Sequence, residues 1–216
     1  MNANRTMVPV GLGFRALKGG SVVVGVALDK SGPRVVLSSF LPTASEGDRL
    51  SLEPYHLAAG MERGPHGGAS MEAKAAIAEG RKRQNKLAVA GLKDVLRKLR
   101  KAGSEPVVAA LLVNRAGWIT DLLDYSLAFA DHPPVAETLA VRDALRFAFA
   151  RLGVEVAEMD EKSLDALASK ALRLSPADLG SRLKALGAAV GRPWRKEQKL
   201  ACLAAWVALK PLKTRR

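Results

Sequence analysis

An almost wholly apolar run near the amino terminus constrains the fold more than any other part of the sequence. Residues 21–28 read SVVVGVAL, which is rich in β-branched valine. A strand with one solvent-exposed face would alternate polar and apolar residues. This run therefore predicts a β-strand that is buried on both faces. The DKSGP at 29–33 predicts a turn, and the RVVLSSFL at 34–41 predicts a second strand. We therefore expect a β-hairpin in a sheet that other elements cover on both sides.

The rest of the chain predicts helices that alternate with further strands. GLGFRAL at 11–17 adds or extends a strand before the hairpin, and residues 42–70 are loop-like with a short piece at 49–52. Gly80, with Gly91 as a second candidate, is expected to interrupt the first long helix. The elements predicted after the loop are a helix at 71–102, a strand at 106–113, a helix at 133–152, a strand at 154–158, and helices at 163–172, 176–186 and 194–209.

The order of these elements resembles that of the ribonuclease H-like superfamily, which includes Holliday-junction resolvases and related nucleases. The resemblance is one of element order over residues 11–160 and involves no shared motif. It implies an α/β fold, in which a mixed sheet led by a β-hairpin carries helices on its faces and is followed by C-terminal helices. We interpret residues 1–160 as the ribonuclease H-like core and residues 161–216 as a helical extension packed on it, with a basic tail.

Short stretches also resemble an uncharacterised family of bacterial proteins, and this second resemblance implies no activity. The stretches are LKGG at 17–20, PYH at 54–56, HPPVAE at 132–137 and PWRKE at 193–197.

The positive charge of the chain is concentrated in two segments. The net charge is +13, of which residues 81–101 carry +8 and residues 192–216 carry +7. Concentrated positive charge attracts polyanions, and DNA or RNA comes first among them. We expect the two segments to gather on a common side of the molecule. The predicted nucleic-acid-binding residues are Lys82, Lys86, Lys93, Arg97, Arg100, Arg192, Arg195, Lys196 and Lys199. The alternatives are another anionic partner, such as an anionic membrane surface or an acidic protein, or simple solubility.

The superfamily resemblance also implies a catalytic centre, for which the sequence supplies few of the carboxylate residues that would be needed. Nucleases of this superfamily resemble one another in holding two divalent metals with clustered carboxylates, one within the first strand and one near the end of the fourth. Neither SVVVGVAL nor PVVAALLV contains an acid. Asp29 is therefore the candidate ligand for Mg or Mn, with Asp121 or Asp124 and Glu197 as its companions. The alternative is that Asp29 is a turn residue and that the other two aspartates lie on a solvated helix face.

A proton-transfer site is the second catalytic hypothesis. In DHPPVAETL at 131–139, His132 precedes a helix start and Glu137 follows five positions later. A histidine titrates near neutral pH and a carboxylate orients it, and His56 in the preceding loop is a candidate third member. The predicted catalytic residues are His56, His132, Glu137 and Glu197. The alternative is that this stretch only caps and starts a helix.

The remaining signals exclude several classes of protein. No spacing of glycines fits a dinucleotide fingerprint or a P-loop, and no nucleophile elbow is present. Cys202 is the only cysteine and reads as core filling, which excludes an internal disulfide. Trp118 and Trp194 are candidates for stacking on bases, with a helix-start anchor as the alternative for Trp194. We expect a cytoplasmic protein with no membrane segment. The leading hypothesis is nucleic-acid binding without evident catalysis. The alternatives are a divergent metal-dependent nuclease or resolvase and a basic protein-interaction module.

Overall fold

A single five-stranded sheet organises the chain. The computed structural model describes residues 7–114, 118–129 and 134–213, with the side chains of Pro134 and 211–213 left undescribed. The strands are β1 (Val8–Leu17), β2 (Gly20–Leu28), β3 (Pro33–Pro42), β4 (Ser104–Val113) and β5 (Val156–Asp160). The helices are α1 (Arg49–Leu52), α2 (Pro54–Ala59), α3 (Met71–Lys101), α4 (Leu122–Ala128), α5 (Pro134–Leu152), α6 (Leu164–Leu172), α7 (Pro176–Val190) and α8 (Lys196–Lys213), with a 3₁₀ turn at Pro65–Gly67.

The strand order in the sheet is β3-β2-β1-β4-β5. β2 pairs antiparallel with both β1 and β3, so the predicted hairpin is present. β1 is parallel to β4, and β4 is parallel to β5. β1 therefore stands at the centre of the sheet and does not merely extend the hairpin. We call the edge at which the parallel strands β1, β4 and β5 end the carboxyl edge of the sheet.

Helices cover both faces of the sheet, as the sequence predicts. One face packs against α3 and α5, around Leu12, Phe14 and Leu92. The other face packs against α6, α7 and α8, around Val24 and Leu112. The basic segment at 81–101 belongs to α3, whereas the segment at 192–216 contains α8. The described residues of the two segments therefore belong to helices on opposite faces of the sheet, and the prediction that they gather on a common side is wrong.

The backbone of α8 packs directly against the backbone of β1. A Cβ atom added to Gly13 would lie 1.8 Å from the backbone oxygen of Ala201, and one added to Gly11 would lie 2.6 Å from that of Ala205. Cys202 is fully buried beside them, and burial raises the pKa of its thiol to about 12. The predicted role of Cys202 as core filling is confirmed. The glycines of GLG are explained by this close approach of helix and strand.

α3 is continuous over 31 residues, which corrects the predicted interruption at Gly80. The helix passes so close to the segment before it that a Cβ at Gly80 would meet the oxygen of Leu50 and the ring of Pro54, both at 2.5 Å. Gly91 in turn faces the side chain of Leu41. Both glycines therefore allow close packing against α3, and neither interrupts the helix.

The segment between β3 and α3 is more ordered than the loop that the sequence predicts, since it contains α1, α2 and the 3₁₀ turn. Of the helices in the described parts of the chain, none combines the length and the hydropathy that a membrane crossing needs.

Candidate functional site at the carboxyl edge of the sheet

An arginine occupies the centre of the carboxyl edge. Arg15, near the end of β1, donates from Nε and Nη2 to the two carboxylate oxygens of Glu161, at 3.1 and 3.0 Å. Its Nη1 lies 3.7 Å from a carboxylate oxygen of Glu197, in the first turn of α8. The three side chains are 18%, 22% and 30% exposed. One guanidinium therefore neutralises two largely buried carboxylates that come from different elements.

A second arginine lies beside the end of β4. Arg142, in α5, is 5% exposed, and one terminal nitrogen of its guanidinium donates to the side-chain oxygen of Asn114. Its Nε is buried and has no hydrogen-bond partner among the described residues. Burial lowers the pKa of Arg142, and the neighbouring positive charge of Arg146 acts in the same direction.

A cavity of about 610 Å³ opens between α3 and α5 at this edge, and we call it the α3–α5 pocket. Its walls include Lys74, Ile77, Ala78 and Arg81 from α3 and Leu139, Arg142, Asp143 and Arg146 from α5. Both sets follow the i, i+3, i+4, i+7 spacing that places residues on one face of a helix. Residues 119–123 close a third side, and Val113, Asn114 and Glu158 supply the floor beside the sheet.

Exposed aromatic rings lie next to this pocket. Trp118 is 66% exposed and Phe129 is 47% exposed. Tyr125 stands between them, with ring centroids 5.5 Å from Trp118 and 5.0 Å from Phe129. Trp194 has a different environment, since its indole donates to the oxygen of Leu183 at 2.9 Å and packs on Gly187. These contacts favour the anchor reading of Trp194 over base stacking.

Glu137 and His56 are in contact, but the contact is made by the backbone of His56 and not by its imidazole. The Glu137 carboxylate is fully buried and accepts a hydrogen bond from the His56 N–H at 2.9 Å, in the first turn of α2. Burial raises the pKa of Glu137 to about 7, against the opposing effect of this N–H. The imidazole of His56 is exposed. His132 lies outside the described residues, so the proposed histidine–carboxylate arrangement stays a prediction.

All nine basic residues that the sequence nominates are exposed. Those on α3 are partly neutralised, since Lys82 pairs with Glu79, Arg97 with Asp94, and Arg100 with Glu105. The four around the start of α8, namely Arg192, Arg195, Lys196 and Lys199, form no ion pair with any residue that the structure describes. α8 begins beside the carboxyl edge, since Glu197 in its first turn contacts Arg15, so these four residues flank that end of the sheet.

Comparison with known proteins identifies the fold. No protein-family model matches the sequence, and no curated protein matches it either. Among solved structures, Thermus thermophilus RuvC matches with 12% identity and a TM-score of 0.53, over 96% of each chain, and T. thermophilus RuvC in complex with a Holliday junction substrate matches equally well. The yeast mitochondrial Holliday junction resolvase Ydc2 matches more loosely, with 9% identity and a TM-score of 0.42, over 94% of this chain and 76% of the other.

The chain has the ribonuclease H-like fold. The prediction of the fold class from the sequence is confirmed by this match and by the five-stranded mixed sheet.

The residues at the carboxyl edge do not fit the two-metal centre that the resemblance implies. β1 carries Arg15 and no carboxylate, and the residue after β4 is the neutral Asn114. Two divalent cations need several converging oxygen ligands, whereas here a guanidinium already lies between the converging carboxylates. Across the described ranges, no group of three or more His, Cys, Asp or Glu residues is arranged to hold a metal ion.

Asp29, the predicted metal ligand, lies far from Glu197 in the sheet. It follows β2, which runs antiparallel to β1, and so it stands at the edge opposite to the carboxyl edge. Its carboxylate accepts bonds from the N–H and the hydroxyl of Ser31 and lies 3.7 Å from Arg34. The hydroxyl of Ser31 is the main cause that lowers the pKa of Asp29. Asp121 caps α4, and with Asp124 it stays on the surface.

Sequence reasoning missed the arginines of this site. Arg15 contacts Glu161 across 146 positions, and no local pattern marks such a pair. A sequence pattern could have marked Arg142 as a site residue, because LxxRDxxR at 139–146 repeats the spacing of KxxIAxxR at 74–81. Two helices with matching stripes that both carry basic residues indicate a shared, partly basic surface.

Proposed function

We propose that the chain binds nucleic acid along the carboxyl edge of its ribonuclease H-like sheet, and that it does so without two-metal cleavage chemistry. The observation that carries the proposal is the arrangement, on both sides of this edge, of cations that form no ion pair within the described part of the chain. Arg195, Lys196 and Lys199 stand on the α8 side, and Lys74 and Arg142 stand on the α3–α5 side. A strand that follows the edge meets positive charge on both sides of Arg15.

The charge of the whole chain supports a polyanionic ligand. A net charge of +13 raises the local concentration of polyanions and speeds their association. Ligands of open α/β sheets bind outside the carboxyl ends of the strands, which is the edge at issue here. T. thermophilus RuvC, which shares the fold, has been solved with a Holliday junction, and this favours branched DNA as the first ligand to test.

The aromatic cluster supports contact with unpaired bases. Trp118, Tyr125 and Phe129 present rings beside the α3–α5 pocket, and exposed rings accept stacked bases with little regard to sequence. Stacking requires a base that has left the duplex, as at a junction, a bulge or a single strand. The proposed ligand is therefore nucleic acid with unpaired or branched segments.

The test is a set of binding curves with fluorescent four-way junction, duplex, single-stranded DNA and single-stranded RNA, measured by anisotropy in EDTA. We expect the affinity to fall by about a hundredfold between 50 and 200 mM salt, which corresponds to a few neutralised phosphates. We expect binding in EDTA to equal binding with Mg²⁺. Affinity that ignores salt, or an absolute need for Mg²⁺, would contradict the proposal. Capture of an acidic protein that survives nuclease treatment, with no binding of DNA or RNA, would contradict it as well.

A divergent metal-dependent nuclease is the second candidate, because Glu161 and Glu197 do converge at the carboxyl edge. Mg or Mn would then have to displace Arg15. The expected observation for this candidate is cleavage of junction DNA with Mn²⁺ that Glu197→Gln abolishes, and Asp29→Asn tests the predicted ligand at the opposite edge. An uncut junction after prolonged incubation with either metal removes this candidate and leaves the binding proposal standing.

A further inference from the structure

Arg142 carries a buried charge that forms no ion pair with a described residue, although the nearby charges of Glu161 and Glu158 act to raise its pKa. Its only hydrogen-bond partner in the described part of the chain is the neutral side chain of Asn114, and its Nε has none. A charged group is almost never taken out of water without a partner of opposite charge, because the loss of hydration is costly. A guanidinium held in this way has spare donors for an anion that arrives from outside.

The other cations of the α3–α5 pocket are arranged so that Arg142 stays free. Arg81 and Arg146 both contact Asp143, at 3.1 and 2.9 Å, and Arg146 also pairs with Glu158. These acids are therefore engaged by two neighbours and not by Arg142. Lys74, on the α3 wall, forms no ion pair with a described residue. The pocket thus offers two cations, one buried and one exposed, that have no acidic partner among the residues that the structure describes.

The remaining walls suit an organic group attached to that anion. Ile77 and Leu139 line the pocket from α3 and α5, and Ile119 lines it from the third side. A volume of about 610 Å³ lies within the range of pockets that bind small organic ligands. A phosphate with its sugar and base combines the charge that Arg142 lacks with the apolar surface that these walls accept.

We propose that the α3–α5 pocket binds one nucleotide unit of the nucleic-acid ligand, with Arg142 and Lys74 binding its phosphate. The identity of the ligand rests on the proposed function, whereas the phosphate site rests on the pocket alone. A guanidinium suits this task because it donates two parallel hydrogen bonds to a phosphate. The exposed rings beside the pocket extend the same ligand by stacking.

The chain offers an unusually simple probe of this pocket. It contains two isoleucines, Ile77 and Ile119, and both line the pocket. Selective labelling of isoleucine methyl groups therefore gives two NMR signals, both from the site in question. We expect 2′-deoxyadenosine 5′-monophosphate to shift both signals and 2′-deoxyadenosine to shift neither at the same concentration. Inorganic phosphate should compete with the nucleotide.

Matched variants test the role of each cation. Arg142→Gln keeps a donor for Asn114 and should weaken binding of the nucleotide by about tenfold or more, since a charge-assisted hydrogen bond is lost. Lys74→Gln, at an exposed position, should weaken it by about threefold to tenfold. Lys98→Gln, on the same helix but outside the pocket and paired with Asp94, should leave the affinity unchanged. Thermal melting of each variant checks the fold.

Each outcome separates the pocket from the wider function. Equal shifts with the nucleotide and the nucleoside, or an Arg142→Gln variant with unchanged affinity, overturn the phosphate site even where the chain binds DNA. Binding of the nucleotide that depends on Arg142, in a chain that does not bind DNA or RNA, supports the phosphate site and overturns the proposed function. Another outcome is an Arg142→Gln variant that loses binding of the free nucleotide and still binds junction DNA as before. That result would show that the pocket does not bind a nucleotide unit of the nucleic acid.

Discussion

The guanidinium of Arg15 holds the carboxylate of Glu161 in a two-point contact, with nitrogen–oxygen distances of 3.1 and 3.0 Å. This contact joins the central strand β1 to the end of β5, and Glu197 of α8 adds a second carboxylate to the same cation. The arrangement closes the carboxyl edge of a ribonuclease H-like sheet with an ion-pair network at the place where the superfamily resemblance implies metal ions.

Removing Arg15 should destabilise the protein, because two largely buried carboxylates would lose their shared counter-charge. We expect Arg15→Met to lower the free energy of unfolding by about 2 kcal/mol or more at neutral pH. Denaturant unfolding of Arg15→Met, Glu161→Gln and the double variant measures their coupling energy, which should exceed about 1 kcal/mol. Arg97→Met, in the exposed pair with Asp94, is the control and should change little. A coupling energy near zero would show that the network does not hold the edge together.

The contact between β1 and α8 has no room for a side chain at Gly13. Gly13→Ala should lower the free energy of unfolding by about 3 kcal/mol, since the new methyl group meets the backbone of Ala201 and neither element yields easily. Gly180→Ala is the matched control, because Gly180 is an exposed position of α7 and nothing lies within 4 Å of a Cβ there. That variant should gain about 0.5–1 kcal/mol. Equal effects of the two substitutions on thermal and denaturant unfolding would contradict the close packing.

Glu137 should make the stability depend on pH in an unusual direction. Its pKa in the folded protein is raised from 4.5 to about 7, so the folded state holds a proton that the unfolded state releases. The associated stability is complete below about pH 4.5 and is lost as the pH rises toward 7. The loss is on the order of 3 kcal/mol. In Glu137→Gln this decline should disappear, as measured by denaturant unfolding from pH 4.5 to 8. A wild-type curve that matches the variant would show that Glu137 titrates normally.

The sequence was sufficient for the fold because the strongest local signals agreed with one another. The apolar SVVVGVAL and the turn after it predicted the hairpin, and the element order predicted the mixed sheet with helices on both faces. The glycines were harder to interpret. Gly80 was predicted to break the helix. Its lack of a side chain instead leaves room for Pro54, and this contact between separate segments cannot be read from the sequence alone.

The candidate site was less accessible, because charge along a sequence says nothing about the face on which it will lie. The segments at 81–101 and 192–216 have the same sign but belong to helices on opposite faces of the sheet. Arg15 and Glu161 are 146 positions apart, so their pairing depends on the order of strands in the sheet. The spacing of the residues around Arg142 could be seen in the sequence, whereas the lack of an acidic partner for Arg142 among the described residues could not.

The most direct test of the central claim compares two triple variants that remove the same charge from the two basic segments. One is Arg195→Gln/Lys196→Gln/Lys199→Gln at the carboxyl edge, and the other is Lys93→Gln/Arg97→Gln/Arg100→Gln on α3. The measurement is the slope of log affinity for a four-way junction against log salt concentration. We predict that the first variant lowers the slope by about two to three units, one for each lost phosphate contact, and that the second leaves it within about half a unit of the wild type. A larger loss in the α3 variant, or no loss in either, would contradict binding along the carboxyl edge.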